Sequence, residues 1–321
     1  MRRRSLLLAA ASAPLCFGPL AARAAAAVVD DDWADVRRDR SLPLRIRWPD
    51  GNASCALVVH SHGLGGSREG GDVWGEAWRQ ADFAVLHVQH PGSDSLVLRS
   101  GIAALRRAAS AEQLQARVAD MQFVLDEIIR RARAREPGWT RVRADALGAS
   151  GHSFGAVTVQ ALAGQRFPVA AAGIAEPRFK AFIAFSPSPG QGRAVDESFA
   201  AVVRPFLGIT GSFDSDPLGR GLTGERRASV YDGLPRGQRA LLWLDGADHM
   251  SFGGNAEQRL RARAGPLKRE PDAAAREPEH HRLVAAISTL WWRATLLGDA
   301  QSAAALHAPP GLGAGDRWQQ D

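Results

Sequence analysis

Residues 146–164 read ALGASGHSFGAVTVQALAG, and at their centre stands Gly151-His152-Ser153-Phe154-Gly155. A serine flanked at plus and minus two by glycine, where an apolar run gives way to an alanine-rich one, fits a very tight turn. In such a turn, between a strand and a helix, side chains at the flanking positions would clash. It lifts Ser153 above the sheet edge at a helix N-terminus. The pentapeptide alone decides little, because glycine and serine are common, so the rest of the chain has to supply the context.

Upstream, LPLRIRWP (Leu42–Pro49) alternates apolar and polar residues, as an antiparallel strand with one wet face does. CALVVHSHG (Cys55–Gly63) and FAVLHVQHPG (Phe83–Gly92) are continuous apolar runs of the kind buried on both faces of a parallel sheet, and WGEAWRQA between them suits a short helix. Ser110-Ala111-Glu112-Gln113 offers a capping box. After it, Leu114, Val118, Met121, Leu125 and Ile128 recur at helical spacing, with arginines assigned to the far side and an end near Arg135. Downstream, KAFIAFSPSPG (Lys180–Gly190), RPFLGITGSFD (Arg204–Asp214) and RALLWLDGADHMSF (Arg239–Phe252) read as three more strands. Strands alternating with helices predict an α/β fold, a mostly parallel central sheet with helices on both faces. Residues 27–300 are expected to form one such domain.

Residues 253–282 are rich in arginine, glutamate, alanine and proline and are expected to make a solvated excursion, followed by a closing helix over Leu283–Asp299. The Gly/Pro-rich end, residues 301–321, is expected to be disordered.

Length and composition set the bounds. The chain has 321 residues, 45% hydrophobic and 23% charged, enough for one sizeable core. A net charge of +6 would suit a nucleic-acid binder, but the N-terminus holds much of it. MRRRSLLLAAASAPLCFGPLAARAAAA has a basic start, a short apolar stretch and small residues suited to signal peptidase, so residues 1–26 read as an export signal. Its Arg3-Arg4-Ser5-Leu6-Leu7 resembles the twin-arginine pattern. Cutting near Ala26 removes four arginines and no acid, taking the net charge from +6 to +2. The expected product is an exported, periplasmic or secreted protein without stable membrane insertion or a nucleic-acid partner. Of two cysteines only Cys55 remains after that cut, as a buried strand residue. His60-Ser61-His62 lacks the further ligands a metal would need, and no metal or cofactor is expected.

A serine hydroxyl needs a base and an orienting acid to act as a nucleophile. In this topology they follow in the order serine, acid, histidine, each after a strand. Asp214 and Asp216 follow one strand, and Asp248-His249 follow the next. His249 is the candidate base and Asp214 the preferred acid, with Asp216 as its rival; Asp248 stands too close to His249. The oxyanion of acyl transfer needs backbone donors. Phe154 N–H is one candidate, and Leu64 N–H, in His62-Gly63-Leu64-Gly65-Gly66, is the other. Gly63, Gly65 and His152 are candidate substrate contacts, His152 with the alternative of a structural role.

Taken together, LVVHSHGLGGSREG, HVQHPGSDS, GHSFGA, FIAFSPSPG and DGADHMSFGG resemble the α/β-hydrolase group of dienelactone hydrolase-like and platelet-activating-factor acetylhydrolase-like enzymes, over residues 42–300. The resemblance implies an α/β-hydrolase fold and cofactor-free hydrolysis of small-molecule carboxylic esters, short-chain or acetyl esters foremost. It places the nucleophile on Ser153, the histidine on His249, the acid on Asp214 and the oxyanion loop on residues 62–66. Dienelactone hydrolases carry cysteine where this chain has serine. Thioesters, amides or polyesters stay open as substrates, and so does a noncatalytic binding role on the same scaffold.

Overall fold

The computed structural model describes residues 28–167, 174–190, 192–217, 219, 221–254 and 269–321. The region read as an export signal lies outside these residues.

Among the described residues nine strands form one sheet: β1 (Val28–Asp35), β2 (Arg40–Arg47), β3 (Cys55–Ser61), β4 (Ala84–Val88), β5 (Val142–His152), β6 (Ala181–Phe185), β7 (Phe206–Phe213), β8 (Arg239–Asp248) and β9 (Arg317–Gln320). Their order is β1-β2-β4-β3-β5-β6-β7-β8-β9. The six strands from β4 across to β8 run parallel, while β1, β2 and β9 pair antiparallel at the edges. The chain is therefore α/β with a mostly parallel sheet.

The continuous apolar runs have a two-sided cause. In β3, Cys55, Leu57 and Val59 point to one face and Ala56 and Val58 to the other, as the period of two requires. The first face is covered by α4 (Ala111–Arg133), α5 (Phe154–Ala163), α6 (Val195–Phe199) and α7 (Gly224–Gly233). The second is covered by α1 (Asp72–Gln80), α8 (Pro271–Leu297) and α9 (Ala300–Ala305), with Trp74, Trp78 and Trp292 fully buried there. Two short helices, α2 (Ser95–Arg99) and α3 (Ile102–Ala108), fill the segment before α4. Ser110 caps α4, its hydroxyl accepting the Gln113 N–H. Cys55 is a buried free cysteine.

Three expectations need correction. The helix expected from Leu283 starts at Pro271, so residues 271–282 are not a solvated excursion; residues 255–268 lie outside the described residues. Apolar counting missed these turns because polar groups fill their inward stripe. Beside Ala273, that stripe holds Glu277, which pairs with Arg269, His280, which donates to Asp245 O, and His281, which donates to Ser251 O. The tail expected to be disordered forms α9 and the edge strand β9. Its glycine and proline content hid backbone pairing with β8, an Arg317 guanidinium stacked on Trp243 and an Arg239–Asp321 ion pair. Finally, one arginine of α4 does not face outward: Arg117 is completely buried. Among the described residues no helix is long and apolar enough to cross a membrane.

Candidate active site

At the carboxyl end of β5 the chain turns directly into α5, and Ser153 occupies the turn at φ 56° and ψ −113°. A non-glycine residue rarely adopts such a backbone and needs surroundings that enforce it. Here the surroundings are backbone. A Cβ on Gly155 would lie 1.9 Å from Ser61 O, and one on Gly151 would lie 2.4 Å from Gly155 O. Both positions of the pentapeptide are thus closed to any side chain, because β3, β5 and the first turn of α5 meet there.

Three strand ends then deliver three side chains. Ser153 Oγ lies 2.9 Å from His249 Nε2, and His249 Nδ1 lies 2.7 Å from Asp214 Oδ1. Because the carboxylate can only accept, Nδ1 carries the proton and Nε2 is left to accept from the serine hydroxyl. Asp214, fully buried, also accepts from Thr210 Oγ1 at 2.8 Å. Burial pushes its carboxyl up, but the Arg227 guanidinium 3.1 Å away and the His249 hydrogen bond outweigh that and hold it below the usual value. Of the two carboxylates weighed for this place, Asp214 is the one on His249; Asp216 sits farther along the loop, its N–H donating to Leu222 O.

The turn carrying His249 is braced from several sides. Asp248 and Ser251 form a reciprocal capping box, and Arg269 grips the Asp248 carboxylate with two nitrogens, each at 3.0 Å. His152 Nε2 donates to His249 O at 3.0 Å. Burial, helped by His249 nearby, lowers the His152 imidazole to about 3, so it is neutral. This ring, a candidate substrate contact, is used as a strut for the histidine loop.

The glycine loop after β3 lies against the elbow: a Cβ on Gly63 would stand 3.5 Å from Ser153 Cβ. His62 holds it from within. Its Nε2 accepts the His90 N–H at 3.0 Å, so the proton is on Nδ1, which donates to Gly63 O at 2.6 Å. The same carbonyl accepts the Gly66 N–H, and Gly65 N–H donates to Ser93 O. With the Gly63 carbonyl engaged twice, the trans peptide it shares with Leu64 has a fixed orientation, and the Leu64 N–H points the opposite way. Phe154 opens α5, where the first N–H groups have no acceptor within the helix.

Arg227, Thr210 and Arg117 escaped the sequence reading. Arg227 follows Arg226 directly, and only the helix phase separates the buried one from the exposed one. It donates to Asp214 O at 2.9 Å and to the carbonyls of Ser186 and Pro187, each at 3.0 Å. Its Nη2 stands 3.4 Å from His249 Nδ1, donor facing donor, so this is an approach of charge and not a hydrogen bond. Thr210 was visible as the polar residue ending an apolar strand. Among the described residues no group of His, Cys, Asp and Glu is placed to hold a metal ion.

A scan of protein-family models and a search of curated proteins find no match to this chain.

Proposed function

We propose that the chain is a serine hydrolase of α/β-hydrolase type that cleaves small-molecule carboxylic esters through an acyl-enzyme. One observation carries the reading: Ser153, His249 and Asp214 form a continuous hydrogen-bonded row, with the serine on a positive-φ turn between strand and helix. The order of the three along the chain, their places at carboxyl ends of parallel strands, and the resemblance of the motifs all support it. So does the sheet, with an antiparallel β2 beside β4 and a crossover placing β4 outside β3.

Ser153 Oγ attacks the ester carbonyl while His249 Nε2 takes its proton. Asp214 holds the ring in the required tautomer and steadies the imidazolium. The tetrahedral oxygen accepts from the N–H groups of Leu64 and Phe154, donors already in place before reaction. Collapse returns the proton to the leaving alkoxide. A water deprotonated by His249 then releases the acid by the same path. The basic, apolar N-terminus is the ground for proposing export, so the protein to assay begins near residue 27.

The test is hydrolysis of p-nitrophenyl esters from acetate to long chains by the protein and by Ser153→Ala in parallel, with fluorophosphonate labelling of both. The substitution is expected to fold, to lower turnover by a factor on the order of 10⁶, and to abolish the label. Equal rates, or a label that survives, would refute the reading. Thioester and amide substrates in the same panel test which leaving groups the site accepts.

A further inference from the structure

Behind the glycine loop lies a cation that the triad does not use. The Arg117 side chain leaves α4 and ends fully buried. Its Nη2 donates to Ser61 Oγ at 3.0 Å and to His62 O, both at the end of β3. Nη1 donates to Ser93 Oγ at 3.0 Å, in the loop after β4, and Nε donates to Thr158 Oγ1 at 3.1 Å, on α5. Thr158 passes the hydroxyl on to Phe154 O at 2.9 Å, and the guanidinium carbon sits 4.8 Å from the centre of the Phe154 ring.

The directions of these bonds agree with one another. Ser61 accepts from Arg117 and donates to His90 Nε2; His90 Nδ1 donates to Asp120, which is held by Arg38 and Arg40. Among the described residues no carboxylate pairs directly with Arg117. A buried charge whose nearest carboxylates, Asp120 and Asp94, act on it without touching it is still costly, and a core position of this size could have been filled by methionine or leucine without burying a charge. What a guanidinium supplies that neither can is a planar fork reaching several acceptors at once. Here Ser61 and His62 lead into the glycine loop that carries the Leu64 N–H, Thr158 sits on the helix that opens with the Phe154 N–H, and Ser93 lies on the loop after β4, whose carbonyl accepts the Gly65 N–H.

We propose that Arg117 is the positioning residue of the oxyanion hole, a single side chain that fixes the glycine loop after β3 against the first turns of α5. The inference rests on the reading of Ser153 as the nucleophile. Loss of the fork leaves both donors present but lets the walls move apart, which costs transition-state binding and spares ground-state binding. A shift of about 1 Å at a reacting centre lowers rates on the order of 100-fold.

The experiment uses Arg117→Lys and Arg117→Met, with every rate expressed per active site titrated by fluorophosphonate. That normalisation removes any loss due to unfolded protein. Expected for both is a kcat about 10- to 100-fold lower with KM within twofold. The inhibition constant of a short alkyl trifluoromethyl ketone, whose adduct with Ser153 places an anionic oxygen in the hole, rises by the factor lost in kcat/KM. Lysine keeps the charge without the fork, so it restores little. If either arginine variant fails to fold, Thr158→Val deletes the acceptor on α5 and Ser93→Ala the one on the loop after β4 that backs Gly65, and both are expected to show the same pattern at several-fold size. Unchanged kcat per titrated site, or a ketone affinity that does not follow kcat/KM, overturns the proposal while leaving the esterase reading intact. A wild-type protein that neither turns over the panel nor labels at Ser153 removes both.

Discussion

Stability should fall steeply below neutral pH, and the histidines say by how much. His60, His62, His87, His90 and His152 are all buried, and burial holds each imidazole below its ordinary value of about 6.5: His87 and His152 to about 3, His90 to about 4 and the other two well below 6.5. Neighbouring arginines add to this, Arg117 at His62 and His90 and Arg47 at His87, while the rings beside His60 and His152, those of His87 and His249, oppose a second proton on the pair. In the fold these rings are neutral, whereas in the unfolded chain they take up protons as pH drops past about 6.5. Their stabilisation is complete above that pH and is lost on the way down toward the folded values. Each contributes a slope of about 1.4 kcal/mol per pH unit once the unfolded ring is protonated, so His87, His90 and His152 give about 4 kcal/mol per unit, and His60 and His62 act in the same direction. Between pH 7.5 and 5.0 those three alone cost about 6 kcal/mol, comparable with the whole stability of a typical domain. Urea unfolding followed by the nine tryptophans, at half-unit steps of pH, measures it directly. Calorimetry in buffers of different ionisation enthalpy should show uptake of about three protons or more on unfolding at pH 5.5. His87→Gln should flatten the slope by about one proton, because its ring donates to Gly70 O and packs on Gly75. A stability that changes by less than about 3 kcal/mol over this range, or uptake below about two protons, would refute the reasoning.

Gly155→Ala forces a methyl onto Ser61 O, so β3 and the glycine loop must shift; we expect a loss of about 3 kcal/mol in urea titration and a kcat at least about 100-fold lower. Arg227→Met leaves Asp214 buried without its cation and three carbonyls, those of Asp214, Ser186 and Pro187, without donors. Unfolding free energy should drop by about 3–5 kcal/mol, and kcat per titrated site should fall with it. Ending the chain at Gly315 removes β9 and bares the backbone of β8; light scattering should then show association, with ester turnover per site within twofold of the intact chain.

How much of this was legible depended on where the physics is local. Four of the six parallel strands announced themselves because a strand buried on both faces is apolar along its run, and LVV, AVL, FIAF and ALLWL satisfy that without context. The serine turn was legible because its two glycines answer a backbone collision a few residues wide. What stayed hidden were polar side chains buried through partners far along the chain. Arg117 stands three residues after Leu114 and four before Met121, squarely within the apolar stripe of α4. That phase was the available signal, but an arginine there reads as an exception until Ser61, Ser93 and Thr158 are seen around it. The first turns of α8 were hidden for the same reason, since Glu277 and His280 count as surface residues until Arg269 and Asp245 are known to face them. β1 and β9 were missed because edge strands are held by ladder hydrogen bonds, which leave little trace in side-chain pattern.

The order of the sheet also has a mechanical side. The strands nearest residues 28 and 321 are β1 and β9, the outermost strands at opposite edges, eight spacings of about 4.8 Å apart if the sheet were flat. A force applied between them runs across the strands, along the hydrogen bonds of the ladders. It loads one bond at a time from an edge inward, as a zipper is opened, instead of shearing a whole ladder at once. The same separation sets the linker for a circular permutant. A short loop could not bridge from one edge to the other, so the connection would have to travel over the helices covering one face.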